Sequence, residues 1–257
     1  MGKKITIVGG HGNVSLRLTR LLSSTPQKHN LTSIIRDTSQ IPSITSAGST
    51  PLLLSLEDSP LSDFTTAFRG QDIIIFSAGA GGKGGPERTK KVDYEGAIKV
   101  FDAIENVVKD QGGVSDASGE KRPRLILVSS IDVRDENKIP EHYDEQDKAI
   151  TTRMRTVIPA YMKWKYEADK NLVQRTAFKW TILRPGGLNN EPGQGKASIG
   201  RTHLSPTISR DDVAKALELL VDREDAAGLA IDLVGGDTPL EEGLEAFIKK
   251  GETDFLG

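Results

Sequence analysis

The sequence predicts an α/β fold with a doubly wound parallel sheet, in which strands and helices alternate along the chain. Seven short runs of isoleucine, valine and leucine are nearly uninterrupted, which is typical of parallel strands covered by helices on both faces. Longer amphipathic segments lie between these runs and predict helices. The predicted strands are KITIV, LTSII, PLLLSL, DIIIFS, RLILVSS, WTILRP and AIDLVGG, in chain order.

The helical segments recur after almost every strand, with apolar residues three and four positions apart. They cover residues 14–22, 89–108, 161–176, 211–221 and 239–249. We expect one domain over residues 1–257, in which residues from about 186 to 257 contribute a small C-terminal substrate lobe.

Three segments do not fit as ordinary connections, and one of them, residues 108–123, is polar and is expected to form a mobile surface loop. Residues 79–85 are rich in glycine, and residues 132–160 are charged and longer than most loops. We expect residues 79–85 and 132–160 to be mobile without ligand and to cover the cleft when ligand binds.

Composition excludes several classes of function. A chain of 257 residues with a net charge of −2 has no electrostatic reason to bind nucleic acid or an anionic membrane. It has no cysteine, which excludes disulfides, thiolate metal sites and a cysteine nucleophile. No apolar run approaches the roughly 20 residues of a membrane span. We expect a cytoplasmic protein, monomeric or homodimeric, with a small-molecule substrate and no metal.

A glycine turn, GGHGNVS, follows the first predicted strand and opens the first predicted helix. In a dinucleotide-binding turn, glycines allow the bend, the approach of a pyrophosphate and close packing of helix on strand. Gly9 and Gly12 fit this spacing, and Ser15 stands where a third glycine is usual. A flexible connection is the alternative, but the position between strand and helix favours nucleotide binding. The predicted cofactor contacts here are Gly9, His11, Gly12, Asn13 and Val14.

The end of the second strand indicates which cofactor binds. Arg36 stands where an NAD enzyme places an acid against the ribose hydroxyls, and an arginine there can pair with the 2′-phosphate of NADP. This position favours NADP over NAD; the alternative is a solvated surface arginine, and Asp37 beside it leaves that alternative open. After the fourth strand, the small residues Ala78 and Gly79 would let the backbone approach the nucleotide.

Tyr161 and Lys165 are four residues apart and therefore share one face of a predicted helix, which Pro159 is expected to open. A tyrosine can transfer a proton at a substrate oxygen once its pKa is lowered, and a nearby lysine charge has that effect. The pair Ser129 and Ser130 ends the fifth strand, and ligands of such sheets bind beyond the carboxyl ends of the strands. A purely structural Tyr-x-x-x-Lys pair is the alternative.

Taken together, these segments resemble the short-chain dehydrogenase/reductase superfamily in its atypical and extended branches. The likeness is greatest to the NAD(P)H-binding, NmrA-like and epimerase-like group, with the flavin/biliverdin reductases more distant. The order of the segments is more specific than any one of them. They are IVGGHGNVSLRL, IIRD, VDYEGAIKVFDA, LILVSSID, YMKWKYEADKNL, WTILRPGGL, ISRDDVAKAL and IDLVGGDTPLEEGL.

The resemblance implies a Rossmann fold and a role for each candidate residue. Tyr161 is implied to be the acid/base, Ser130 to steady the substrate oxygen, and Lys165 to hold the nicotinamide ribose and tune Tyr161. Ser129 is expected to contact the cofactor as well. Other implied cofactor contacts are Leu56 and Glu57 beside the adenine, and Pro185, Gly186, Gly187 and Leu188 along the nicotinamide.

The implied activity is that of an NADP-dependent oxidoreductase or epimerase-like enzyme, acting on a small carbonyl or hydroxyl substrate by hydride transfer. One alternative is a non-catalytic, redox-sensing regulator that binds NADP(H). Another is an isomerase or cyclase of a secondary pathway that is assisted by the cofactor. The presence of both Tyr161 and Lys165 favours an enzyme, because a sensor has no chemical need for them.

Overall fold

The computed structural model describes residues 2–81, 84–112 and 122–256. All seven predicted strands are found in these ranges, together with three short ones that the sequence did not predict. The strands are β1 (Lys4–Val8), β2 (Asn30–Ile35), β3 (Thr50–Leu53), β4 (Ile73–Phe76), β5 (Arg124–Val128), β6 (Trp180–Pro185), β7 (Leu188–Asn189), β8 (Lys196–Ile199), β9 (Ile208–Ser209) and β10 (Ala230–Pro239).

Eight of these strands form one sheet in the order β3-β2-β1-β4-β5-β6-β10-β8. Each neighbouring pair is parallel except β10 and β8, which run antiparallel. The chain reverses its direction of winding between β1 and β4, which is the switch point where such sheets bind ligands. The predicted doubly wound parallel sheet is therefore confirmed.

The predicted helices are also present. The helices are α1 (Asn13–Ser24), α2 (Ile41–Ser46), α3 (Leu61–Phe68), α4 (Gly85–Thr89), α5 (Gly96–Asp110), α6 (Glu145–Val157), α7 (Pro159–Val173), α8 (Arg210–Val221) and α9 (Leu240–Lys250). A π-helical stretch, Lys90–Glu95, joins α4 to α5. Within the described ranges, none of the helices is long and apolar enough to cross a membrane.

The prediction of residues 132–160 as a long irregular connection is wrong for its second half, which forms α6. The helix was missed because most of its residues are polar and, apart from Asp147 and Thr151, none is fully buried. In the glycine-rich segment 79–85, residues 82 and 83 lie outside the described residues, as do residues 113–121 of the polar segment 108–123. The mobility of these segments stays a prediction.

The core lies in two layers, one on each face of the sheet. Ile5 and Ile7 of β1 point into the layer formed by α1, α8 and α9. Ile74 and Phe76 of β4 point into the opposite layer, formed by α3, α5 and α7. Burying one such side chain contributes roughly 1.5–3 kcal/mol, and strands buried on both faces need apolar residues at nearly every position. This requirement explains the uninterrupted runs in the sequence.

The C-terminal part of the chain serves both the sheet and the cleft. β8, β10, α8 and α9 belong to the main layers. β7 and β9 pair separately, as a two-stranded sheet that follows the carboxyl end of β6. Within this C-terminal part, the residues that line the cleft come from the small sheet and the loops around it. The boundary of a substrate lobe at about residue 186 stays a prediction.

Candidate active site

Two adjoining cavities lie at the carboxyl ends of the parallel strands. The small cavity, of about 230 Å³, lies at the ends of β1, β2 and β3. The large cavity, of about 700 Å³, lies at the ends of β4, β5 and β6. Both are lined by Gly12, Ala78 and Gly79, so together they form one continuous cleft.

The structure brings every candidate site residue from the sequence to this cleft. The small cavity is lined by Gly9, His11, Gly12, Arg36, Leu56, Glu57, Ala78 and Gly79. The large cavity is lined by Gly12, Asn13, Val14, Ala78, Gly79, Ser129, Ser130, Tyr161, Lys165, Pro185, Gly186, Gly187 and Leu188. The roles assigned to these residues stay predictions.

The first two glycines of the turn are required by the fold itself. Gly9 has a φ of +81°, and a Cβ there would lie 2.6 Å from the Cα of Ala78. A Cβ on Gly10 would lie 2.5 Å from the Cβ of Ser33 on β2. Both distances are far below van der Waals contact, so only glycine allows the turn to pack between β2 and β4.

Gly12 is different, because its backbone is extended and would accept any residue (φ −63°, ψ 151°). A Cβ there would lie 3.2 Å from the carbonyl oxygen of Gly9 and 3.3 Å from the hydroxyl of Ser15, in tight but not impossible contact. Because Gly12 has no side chain, the space where the two cavities adjoin stays open. The glycine at this position therefore serves the cleft more than the fold.

The start of α1 fits the pyrophosphate of a dinucleotide. The first turn of a helix leaves N–H groups without intrahelical partners, and its dipole favours an anion. Among the described residues no side chain caps α1, and its first turn carries no acid that would repel a phosphate. The hydroxyl of Ser15 is buried nearby and has no hydrogen-bond partner in the part of the chain that the structure describes. Ser15, in the place of the third glycine, is accommodated as a fully buried residue of α1.

The charges around the small cavity centre on Glu57. Its Oε1 lies 3.0 Å from Nη2 of Arg88 and 3.8 Å from Nη1 of Arg36. Asp37 is engaged elsewhere, because its carboxylate accepts the N–H of Ser39 at 2.8 Å and caps the short turn after β2. That hydrogen bond lowers the pKa of Asp37 and keeps it charged.

Arg88 was not among the predicted site residues. It lies on α4, just after the glycine-rich segment, and its charge neutralises Glu57. The positive charge of Arg36 is therefore paired only weakly within the protein. The basic character of residues 83–91 was the one signal of this role in the sequence. The partner, Glu57, is 31 positions away and could not be inferred from local pattern.

The large cavity has a polar end where α7 begins. Pro159 opens this helix as predicted, Tyr161 lies in its first turn, and Lys165 follows one turn later. The Nζ of Lys165 lies 5.9 Å from the centre of the Tyr161 ring and donates to the carbonyl oxygen of Val128 at 3.2 Å. Ser130, buried at the end of β5, lines the same end of the cavity.

Asp93 supports this polar end from the π-helical stretch, a distortion that is frequent at functional sites. Its carboxylate is buried, lies 3.4 Å from the Nζ of Lys165 and accepts the N–H of Ala80 at 3.0 Å. Burial by itself would lower the pKa of Lys165, but the charges of Asp93, Tyr161 and Asp169 outweigh it and raise that pKa above its usual value. Lys165 is therefore charged at neutral pH.

Asp93 was not predicted as a site residue, and neither were the residues of α6 that line the large cavity. In VDYEGAIKVFDA, an aspartate stands on the otherwise apolar, buried face of the helix. This was a usable signal for Asp93. Ile150, Met154 and Ile158 line the large cavity from α6 and the residue after it. Their spacing of four residues was the signal for a helical wall, but it is short and set in a strongly polar segment.

A doubly wound sheet with a glycine turn at its switch point and a Tyr–Lys pair beyond β5 is the arrangement of a Rossmann-fold protein. The model of the NAD(P)H-binding family matches residues 9–224, and the chain belongs to this family. The suspected relationship is thereby confirmed at the level of the family.

Curated relatives extend over nearly the whole chain. A UPF0659 protein of Schizosaccharomyces pombe is 36% identical over 253 residues, which is 97% of this chain and 96% of the relative. The Bacillus subtilis protein called "uncharacterized sugar epimerase YhfK" is 34% identical over 242 residues, 94% of this chain and 99% of the relative. Among solved structures, the oxidoreductase ylbE of Lactococcus lactis is 26% identical, with a TM-score of 0.76, and the match covers 96% of this chain and 97% of that one.

Proposed function

We propose that the protein is an NADP-dependent oxidoreductase that reduces a carbonyl group to an alcohol, or runs the reverse reaction, with Tyr161 as the acid/base. The observation that carries this proposal is the polar end of the large cavity. There Tyr161, Ser130 and a buried, charged Lys165 line one end of a cleft that continues from the glycine turn.

Each residue at this end has a definite role in a reduction. A bound NADPH would supply the hydride that the carbonyl carbon accepts. Tyr161 donates its hydroxyl proton to the carbonyl oxygen and later regains a proton from solvent, which completes the alcohol. Ser130 donates a hydrogen bond to that oxygen while its charge develops. The charge of Lys165 stabilises the tyrosinate left behind, and Asp93 holds the ammonium in place.

The small cavity supports NADP as the cofactor. The side chain of Arg36 is 57% exposed and its only ion pair, within the described ranges, is the long one to Glu57. Arg88 already neutralises Glu57, and the carboxylate of Asp37 is held by the N–H of Ser39, so the guanidinium of Arg36 stays available to a 2′-phosphate. A charge-assisted, bidentate contact from an arginine is well suited to that phosphate.

Epimerisation is a second candidate, supported by the name of the Bacillus subtilis relative. In that reaction the same tyrosine would remove a proton and return it, while the hydride leaves and re-enters the substrate carbon. The two candidates differ in one observable. A reductase consumes NADPH in proportion to product, whereas an epimerase shows no net change in it.

The direct test is the single-atom change Tyr161→Phe. It removes the hydroxyl and leaves the ring packing and the small cavity intact, so NADPH affinity should stay near the wild-type value. Turnover of a carbonyl substrate such as menadione or benzaldehyde should fall by about 10²–10⁴-fold, the usual contribution of a positioned acid/base. Lys165→Ala should reduce both turnover and NADPH affinity.

Tyr166→Phe is the matched control, because Tyr166 is on the same helix, stacks on Phe255 and does not line the cavity. It should leave both quantities unchanged. Full activity in Tyr161→Phe would contradict the proposed mechanism. Tight NADPH binding by a wild-type protein that turns over neither carbonyls nor alcohols would instead favour the regulator.

A further inference from the structure

The large cavity combines a few polar groups with a larger apolar surface. Tyr161, Ser130, Lys165 and Asp93 supply polar groups, and much of the remaining wall is formed by aliphatic side chains and one methionine. These walls are formed by Val14, Ile131, Ile150, Met154, Ile158, Leu188 and Leu204. A substrate that offers its oxygen to Tyr161 must place the rest of its body among them.

Helix α6 lines this hollow with Ile150 and Met154, and Ile150 also packs against the small hydrophobic cluster of Ile131, Tyr143, Leu204 and Val234. Ile150 and Met154 are one turn apart on one face, and Ile158 continues the line after the helix ends. An amphipathic helix normally buries such a stripe against other side chains. In α6 the fully buried positions are the polar Asp147 and Thr151, while Ile150 and Met154 are only half-buried. A bound apolar ligand would complete the packing of this face.

The wall is anchored and does not depend on a ligand for its position. Thr151 donates a hydrogen bond to the buried carboxylate of Asp132 at 2.8 Å. Asp144 and Asp147 form a capping box at the start of α6. Asp147 also accepts the N–H of Leu204 at 2.8 Å, which ties the helix to the facing wall of the cavity.

The mouth of the cavity is apolar as well. Ile158 and Leu188 are 39% and 37% exposed, although large aliphatic side chains are usually buried. Both line the cavity, so the exposed apolar surface lies where a ligand would enter. Exposed apolar residues that gather at a cavity mark a binding surface for apolar groups.

The polar groups at the rim are already engaged. Arg210 donates to the carbonyl oxygen of Asn189 at 2.9 Å and to the side-chain oxygen of Asn190 at 3.0 Å. Thr207 accepts the amide of Asn189 at 2.9 Å, and Ser205 accepts the amide of Gln146 at 3.4 Å. The aliphatic walls away from these rim groups offer no hydrogen-bond partner to the several hydroxyls of a sugar. An apolar pocket discriminates about 100-fold against one added hydroxyl, and a sugar carries several.

We propose that the large cavity binds an apolar ketone, aldehyde or quinone, whose hydrophobic body lies against Ile150 and Met154, and not a sugar. This inference rests on the proposed function in one respect: the carbonyl oxygen is assigned to Tyr161. The chemical step is the reduction described above, and the wall of α6 selects which carbonyl compounds reach it.

The test measures binding and turnover separately. Binding of menadione, benzaldehyde, glucose and UDP-glucose to the NADP⁺-saturated protein, which cannot reduce them, is followed by calorimetry, and turnover with NADPH is followed by its absorbance. Ile150→Asn and Met154→Gln keep the side-chain size and add a polar group to the wall. Each should weaken menadione at least about 10-fold, within the range known for small changes in apolar pockets, with NADPH affinity unchanged.

Val157→Asn is the control on the same helix, because Val157 is 69% exposed and does not line the cavity. It should leave menadione binding at the wild-type value, and thermal unfolding should show that all three variants are folded. Tighter binding of UDP-glucose than of menadione, or menadione binding that survives both wall substitutions, would overturn the inference. If menadione binds without turnover, hydride transfer is refuted but the apolar ligand class is upheld. If sugars are turned over, hydride transfer is upheld but the apolar ligand class is refuted.

Discussion

The two ends of the cleft are built in different ways. Beside the small cavity, the glycine turn packs tightly on its neighbours: Gly9 lies against Ala78 and Gly10 against the side chain of Ser33, with no room for a single extra carbon. Around the large cavity, side chains from β5, α6, α7 and the π-helical stretch surround an open volume. The cofactor end is therefore an inseparable part of the sheet, whereas the substrate end can change its side chains without changing the fold.

Because of this difference, cofactor and substrate are recognised in different ways. A dinucleotide is recognised by helix N–H groups and glycines that the strand–turn–helix unit supplies locally. A substrate is recognised by residues that lie far apart in the sequence and meet only in three dimensions. Substitutions at one end should consequently affect one ligand and leave the other nearly unaffected, which makes the comparison testable.

The largest expected effect at the cofactor end comes from Gly12→Val. The extended backbone at Gly12 accepts valine, so the fold should persist, but the added methyl groups would occupy the space at the start of α1. NADPH binding measured by calorimetry should fall below detection, while thermal unfolding stays close to wild type. An unchanged affinity in the folded variant would show that the pyrophosphate does not bind at this turn.

A smaller, selective effect is expected from Arg36→Ala. Loss of the charge-assisted contact should weaken NADPH by one to two orders of magnitude, about 1.5–3 kcal/mol, and leave NADH nearly unaffected. Arg69→Ala is the control, since Arg69 is an exposed arginine that pairs with Asp110 away from the cleft. Equal losses for NADPH and NADH would mean that Arg36 does not recognise the phosphate.

The smallest expected effect concerns the interaction between Asp147 of α6 and His203, the residue before Leu204. His203 Nδ1 lies 2.6 Å from Asp147, and the hydrogen bond and charge of that carboxylate raise the pKa of His203 above its ordinary 6.5. Protonated His203 therefore stabilises the folded state fully below pH 6.5, and this stabilisation disappears as the pH rises through the higher folded pKa. Because the side chain is half exposed, we expect at most about 1 kcal/mol.

Urea unfolding at about pH 5.5 and about pH 8.5, on either side of the histidine titration, measures this contribution. His203→Gln should reduce the difference in free energy of unfolding between the two pH values and leave NADPH affinity unchanged. A pH dependence identical to that of the wild type would show that the pair with Asp147 contributes nothing measurable.

The sequence predicted what depends on local pattern. Strands buried on both faces, and a glycine turn between β1 and α1, carry their signals within a few residues. Helices α2 and α3 were missed because they are short, at six and eight residues, and α6 because its apolar face is narrow. Arg88 and Asp93 were missed because their roles depend on Glu57 and Lys165, which lie far away in the chain.

A crystal structure of the protein with NADPH would show whether the cleft holds the dinucleotide as proposed. We expect the pyrophosphate at the start of α1, the 2′-phosphate at Arg36, and the nicotinamide in the large cavity beside Tyr161. A carbonyl oxygen hydrogen-bonded to Tyr161 would then place its carbon about 3–3.5 Å from the nicotinamide C4, the distance of a reactive arrangement. A dinucleotide bound in the opposite direction, or a nicotinamide out of reach of Tyr161, would contradict this proposal.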